Sequence, residues 1–256
     1  MISVRISAAT HTGAVRRRNE DCVGATDLRA SSVDGEVVSV VISGGSCIAV
    51  VADGLGGHPS GDVASRLAVQ QIIGANPADP DALVKAFHAA NEAIYDAMSE
   101  PCGSLEMGST AAAVLLRTDG IAVANVGDSA VFEFMDGRLV QLSTDDVPTR
   151  GGQLPGLPST VVTQTLGGRR EPVNIEPNLY SDEFGAARSV LMCTDGLTNF
   201  VTRDRIAGAL RETCGVQAVE ALLRLALDAG GRDNVTVLLM EPVRVGDVSI
   251  SEVGPG

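Results

Sequence analysis

The 256-residue sequence predicts an α+β layered fold in one domain, and three observations carry that expectation. Strand-like runs fall in antiparallel groups separated by short turns. Helix-like stretches come in pairs, without the strict strand–helix alternation of a doubly wound sheet. Apolar residues make up 45% of the chain, enough for one large core.

Residues 2 to 8 alternate through Ile2, Val4 and Ile6 and suit an edge strand. Val37–Ile42 and Cys47–Ala52 are strand-like, and Gly44-Gly45 between them predicts a hairpin. Asp62–Ile73 places Val63, Leu67, Ala68 and Ile72 at helical spacing. A second helix is expected from about Pro80 to Met98, with Leu83, Phe87, Ala90, Ile94 and Met98 on one stripe. Asp79 is its N-cap and Pro80 its first turn. From Thr110 the period shortens: TAAAVLLR, IAVANV, AVFEFM and RLVQL, broken by Asp119-Gly120, Gly127-Asp128-Ser129 and Asp136-Gly137, read as an antiparallel meander. Residues 145–168, rich in Pro and Gly, read as a loop or flap. Ser189–Thr194 is strand-like. Two helices follow, the first capped by Thr202 and the second stopping at Gly230-Gly231. Val235–Met240 is the last strand, 1–242 the expected domain, and 243–256 a loose tail. There is no internal repeat.

Lys and Arg number 19 against 32 Asp and Glu, a net charge of −13, which argues against nucleic acid or an anionic membrane as partner. The five cysteines are odd in number and lack any C-x-x-C, so they read as buried thiols of a reducing compartment. The opening MISVRISAATHTG has no apolar stretch of signal-peptide length, and no run approaches a membrane span; a cytoplasmic location is expected.

The chemistry gathers on CIAVVADGLGGHPSGDV, Cys47 to Val63. An apolar run delivers Asp53 to its own end, and five glycines or prolines within residues 54–61 leave that carboxylate open. Asp-Gly occurs five times, at 34, 53, 119, 136 and 195. At 34, 119 and 136 strand-like flanks make it ordinary turn chemistry. Asp53 and Asp195 each end a buried run (IAVVAD, VLMCTD) and lead into Gly-Leu. Asp233, Asp128 and the pair Glu20-Asp21 also lie at strand ends or in charged turns, and each alone has a structural reading. Together they suit a hard divalent cation, which takes oxygen ligands. Unneutralised, such carboxylates would raise one another's pKa. Zinc fits poorly, because the three histidines (His11, His58, His88) form no H-E-x-x-H and no cysteines pair. No G-K-[ST] follows the glycines, and there is no G-x-S-x-G elbow.

Six stretches, in order, resemble the metal-dependent protein phosphatase family, type 2C, in its bacterial form: TGAVRRRNED, VVADGLGGHPSGDVAS, GSTAAAVLL, VANVGDSAVF, LMCTDGLTNFV and GGRDNVTVLLM. The resemblance implies a four-layer α-β-β-α sandwich, with two antiparallel sheets flanked by helix pairs and metals at one end. It implies two Mg²⁺ or Mn²⁺ ions bridged by Asp53 and bound by the Gly54 carbonyl, Asp195 and Asp233. Glu20 would serve the second ion with Asp21 in support, and Asp128 a weaker third. Arg16 would grip the substrate phosphate, and His58 is a candidate proton donor, although a structural role in the glycine loop is an equal reading. The expected activity is hydrolysis of phosphoserine and phosphothreonine in proteins of a cognate Ser/Thr kinase pathway, by a monomer, through a water activated between the metals.

Two departures accompany the resemblance. Gly-Asp-Ser-Arg in the family is Gly-Asp-Ser-Ala here, with Ala130 in the arginine's place, and the flap at 145–168 is short. They motivate an alternative, a catalytically weak or silent relative that binds phosphoproteins. A hydrolase of small phosphate esters is a third reading.

Overall fold

The structure is a computed structural model and describes residues 2–29, 34–55, 60–100, 104, 106–148, 161–183 and 188–243. In chain order the strands are β1 (Ile2–His11), β2 (Cys22–Ala25), β3 (Leu28–Arg29), β4 (Val38–Gly44), β5 (Ser46–Ala52) and β6 (Gly54–Leu55). Helices α1 (Gly61–Gly74) and α2 (Pro80–Ser99) follow. Next come β7 (Gly108–Ser109), β8 (Ala111–Arg117), β9 (Gly120–Val126), β10 (Ala130–Met135), β11 (Arg138–Gln141), β12 (Leu166–Gly167), β13 (Asn178–Asp182) and β14 (Ser189–Cys193). Helices α3 (Asp195–Thr198), α4 (Arg203–Glu212) and α5 (Gly215–Asp228) precede the final strand, β15 (Val235–Pro242).

Two six-stranded antiparallel sheets result, ordered β11-β10-β14-β15-β1-β4 and β13-β9-β8-β5-β2-β3, with β12-β7-β6 as a small third sheet. Strand alternation sorts the apolar residues into three cores. On β5, Ile48, Val50 and Ala52 face α1 and α2, while Cys47, Ala49 and Val51 face the other sheet. On β15, Leu238 and Met240 point between the sheets, and Val235, Val237 and Leu239 pack with Leu210, Val219 and Leu222 of α4 and α5. Strands covered on both faces have no polar side to display, hence their continuous apolar runs. The layers are therefore helix pair, sheet, sheet, helix pair, as the resemblance implied.

Asp79 caps α2 as expected, its side chain accepting from the Ala82 N–H at 2.8 Å, with Pro80 in the first turn. Thr202 stands at the N-cap of α4 but makes no side-chain cap bond.

Four expectations are corrected. β1 is not an edge strand, since it lies between β15 and β4. Val37–Ile42 and Cys47–Ala52 form no hairpin: β4 pairs with β1 while β5 pairs with β2 and β8, so Gly44-Gly45 carries the chain between sheets. The expected meander splits likewise. β8 pairs with β9 and β10 with β11, and Gly127-Asp128-Ser129 crosses from one sheet to the other. The expectation of buried thiols holds for Cys47 and Cys193 and in part for Cys22, but is corrected at Cys214, which is exposed, and Cys102 lies outside the described residues. No helix among the described residues is long and apolar enough to cross a membrane. Residues 149–160 of the flap and 244–256 of the tail lie outside the described residues.

Candidate metal centre

One end of the sandwich collects the carboxylates, and the strand register is the cause. Asp53 follows β5 directly, and the pairing of Cys22 with Ala52 brings Asp21 beside it. On the opposite sheet Cys193 pairs with Val237 and His11 with Val235, which sets Asp195 and Asp233 at the same end. Asp128 stands at the crossover between β9 and β10. The expected site residues Glu20, Asp21, Asp53, Asp128, Asp195 and Asp233 thus all come to this end.

Asp21 ties the two sheets together. Its Oδ2 accepts from the hydroxyls of Thr194 (2.8 Å) and Thr236 (2.7 Å), and its Oδ1 is buried without a partner. Burial, opposed by those two bonds, pushes its carboxyl up to about 7. Asp53 is densely enclosed, though part of it stays open to solvent. Its backbone is pinned, with N–H donating to Thr110 Oγ1 at 3.1 Å and carbonyl accepting from Thr110 N–H at 2.9 Å. Burial first, then the charges of Asp21 and Asp195, hold its carboxyl well above the usual carboxylate range.

Asp195 arrives from the opposite sheet near enough to Asp53 for its charge to raise the Asp53 carboxyl, an arrangement two carboxylates tolerate best with a proton or cation between them. Its Oδ2 accepts from Asn199 Nδ2 at 2.8 Å, and its Oδ1 is a second buried oxygen without a partner. The Asp-Gly at 195 has a packing reason. A methyl group on Gly196 would stand 1.8 Å from the Asn234 carbonyl oxygen. Gly54 is equally confined, its would-be methyl lying 2.2 Å from the Gly61 oxygen and 2.6 Å from the Glu20 oxygen.

Glu20 is fixed through its main chain: N–H donates to Asn234 Oδ1 at 2.9 Å, and its carbonyl accepts from Gly54 N–H (3.1 Å) and Ser65 Oγ (2.6 Å). Its side chain reaches the start of α1, where burial and then the charge of Asp62 raise its pKa. Asp62 holds a third buried, unpartnered oxygen, Oδ1. Asp128 is pushed to about 7 by burial and then by Asp195. The counter-charge is Arg16, exposed, with Nη2 donating to Asp233 Oδ2 at 2.7 Å.

These groups fit a hard divalent cation. All are oxygen donors, three buried carboxylate oxygens lack partners, and the charges crowd at one place with one arginine bonded among them. No three Asp, Glu, His or Cys side chains among the described residues already close on a single point, so the donors are gathered and not caged. His58 lies outside the described residues, in 56–59.

Sequence reasoning missed Asp62, read there only as the start of a helix, and Asn234, whose Nδ2 donates to the carbonyls of Thr12 and Arg18 at 2.8 Å each. Asn234 thereby holds the Arg16–Glu20 loop against β15. Thr194 and Thr236 were also missed, since hydroxyls inside apolar strands give no local signal of the carboxylate they serve.

A family model, protein phosphatase 2C, matches residues 33–228. The chain belongs to the protein phosphatase 2C family. The serine/threonine protein phosphatase PstP of Mycobacterium tuberculosis is 31% identical over 258 residues, 94% of this chain and 45% of PstP. The chain thus spans about half the length of that relative, whereas it matches 93% of the serine/threonine phosphatase Stp of Listeria welshimeri at 26% identity. Among solved structures, the M. tuberculosis PstP phosphatase superposes with a TM-score of 0.78 at 27% identity, covering 95% of this chain and 100% of that one. The PstP catalytic domain in complex with two manganese ions gives 0.76 at 28%, with the same coverages. The family match at 33–228 leaves Arg16, Glu20, Asp21 and Asp233 outside it, so their place in the site rests on the geometry above.

Proposed function

We propose that the chain is a divalent-metal-dependent phosphatase that hydrolyses phosphoserine and phosphothreonine in proteins, as its relatives' names describe for them. The observation that carries this reading is the convergence of Asp53 and Asp195, set by strand register from opposite sheets at one end of the sandwich, among further carboxylates.

Asp53, Asp195 and Asp233 would hold one Mg²⁺ or Mn²⁺ and Asp53 with Glu20 a second, the Gly54 carbonyl binding one of the two. Asp21 is braced by the threonine hydroxyls behind them, and Asp128 would serve a weaker third. Bound there, the pair of ions supplies Lewis-acid chemistry that makes water nucleophilic at neutral pH. The remaining work falls to the chain. Arg16 presents a planar guanidinium whose forked donors match a phosphoryl group, and its bond to Asp233 keeps it at the rim of the site. Asn234 fixes the loop carrying Arg16 and Glu20. The substrates would be phosphoproteins of a Ser/Thr kinase pathway in the cytoplasm, handled by a monomer whose residues 1–242 form the domain.

Hydrolysis of a phosphothreonine peptide with Mn²⁺, with and without chelator, tests the reading. Metal-stimulated turnover is expected. Absent turnover, or turnover indifferent to chelator, sinks it, and retained metal binding without turnover on several phosphoproteins would favour the silent-relative reading that Ala130 motivates. Rates on small esters beside the peptide separate a general esterase from a protein phosphatase.

A further inference from the structure

Asp146 lies outside every role assigned so far, yet it makes more connections than any carboxylate of the site. Its Oδ2 accepts from the Gly127 N–H at 2.8 Å and from Gln164 Nε2 at 2.9 Å, and its Oδ1 accepts from Asn178 Nδ2 at 3.0 Å. Its own N–H donates to the Gly127 carbonyl at 3.0 Å, and its carbonyl accepts from Thr163 N–H at 2.7 Å. Three donors converge on one side chain, and only a carboxylate has the acceptors to satisfy them all without an N–H facing an N–H.

Two things are joined by these bonds. Gly127 is gripped at both its N–H and its carbonyl, and the next residue is Asp128. Gly127 has no slack, with φ +96° and a would-be methyl 2.6 Å from Thr110 Cβ. Thr110 in turn is bonded to the Asp53 N–H and, at 2.7 Å, to the Ser129 hydroxyl. Meanwhile Thr163 and Gln164 bring the far end of the stretch that leaves at residue 147 back to Asp146. Asp146 therefore ties Gly127 to Thr163 and Gln164 through one residue.

We propose that Asp146 is a positioning residue that fixes the Gly127–Asp128 peptide and ties it to Thr163, Gln164 and Asn178, so that cation binding at Asp128 depends on a carboxylate outside the ligand set. This rests on the phosphatase reading and deepens it. Asp146 is not among the proposed ligands; it acts through Asp128.

The test compares wild type, Asp146→Ala and Asp146→Asn with Asp79→Ala, a helix-cap variant remote from the site that supplies a stability control. Mn²⁺ binding is followed by calorimetry, and turnover of a phosphothreonine peptide and of p-nitrophenyl phosphate across a Mn²⁺ series. Asp146→Ala should weaken the weakest Mn²⁺ step and shift half-activation by ~10-fold, as loss of a group that orients a ligand does. Asp146→Asn, which keeps one acceptor oxygen, should fall between. A lowered thermal midpoint with Mn²⁺ binding matching Asp79→Ala would overturn the proposal, as would a wild type with no weak Mn²⁺ step. Absence of turnover in the wild type would remove the phosphatase reading instead, while the calorimetric comparison still decides for or against Asp146.

Discussion

The Thr236 hydroxyl, on the last strand of one sheet, donates to the carboxylate of Asp21, just ahead of the first strand of the other, at 2.7 Å. It accepts in turn from Thr10 Oγ1 at 2.7 Å, which accepts from Asn19 Nδ2 at 2.7 Å. Thr236→Val keeps the shape and strips the donor from a buried carboxylate. Chelated protein carrying it should lose about 1–3 kcal/mol in urea unfolding. An unchanged midpoint would mean that Asp21 does not depend on this bond.

Asp53→Asn should separate folding from metal binding. Removing one charge from the crowd relieves repulsion, so the chelated variant should resist urea at least as well as chelated wild type. Mn²⁺ at 100 times its Kd should stabilise wild type by about 2.7 kcal/mol and the variant far less. Equal Mn²⁺ stabilisation of the two would take Asp53 out of the site.

Stability of the chelated protein should fall as pH rises. Burial lifts Asp21 and Asp128 to about 7 in the fold, against an ordinary 3.8. A carboxyl raised on folding contributes stability that is complete below its unfolded value and is lost as pH climbs through its folded one. With chelator the urea midpoint should therefore be lower at pH 8 than at pH 6, with a shallower slope in Asp128→Asn. Saturating Mn²⁺ should reverse the trend, since metal competes with protons for these oxygens. A chelated protein that gains stability from pH 6 to pH 8 would contradict these shifts.

Gly196→Ala should be costly where Gly45→Ala is not. The first methyl would meet a backbone oxygen at 1.8 Å, while nothing lies within 4 Å of the second. A loss of about 1–3 kcal/mol or more is expected at 196, against a few tenths at 45. Differential scanning fluorimetry of the pair checks it, and equal midpoints would refute the packing reason given for the glycine after Asp195.

Much of the fold was legible because it rests on local pattern: the stripe of α2 behind Asp79-Pro80, and the two-sided apolar runs of β5, β8 and β15. What was illegible was pairing. Gly44-Gly45 looks like a turn whether the strands beside it pair with each other or, as they do, with β1 and β2. β2 escaped notice because it is four residues long and holds Gly24, and β13 because Asn178–Asp182 is a mostly polar edge strand. Asp53 and Asp195 were found because Asp-Gly at the end of an apolar run is odd in itself, whereas Glu20, Asp21, Asp128 and Asp233 gained weight only as a set. Asp62, Asn234 and Asp146 were not found, since an acid in a helix's first turn and polar residues in loops are ordinary until their neighbours are known.

β1 pairs along most of its length with β15, from Val4 opposite Pro242 to His11 opposite Val235. A ribosome thus makes the first strand long before its neighbour exists. Until residue 242 has cleared the exit tunnel, Asp233 and Thr236 are missing and β1 has only β4 beside it. The nascent chain therefore carries Asp53 without the groups that complete its surroundings, and the carboxylate cluster would assemble in a single step once β15 is made.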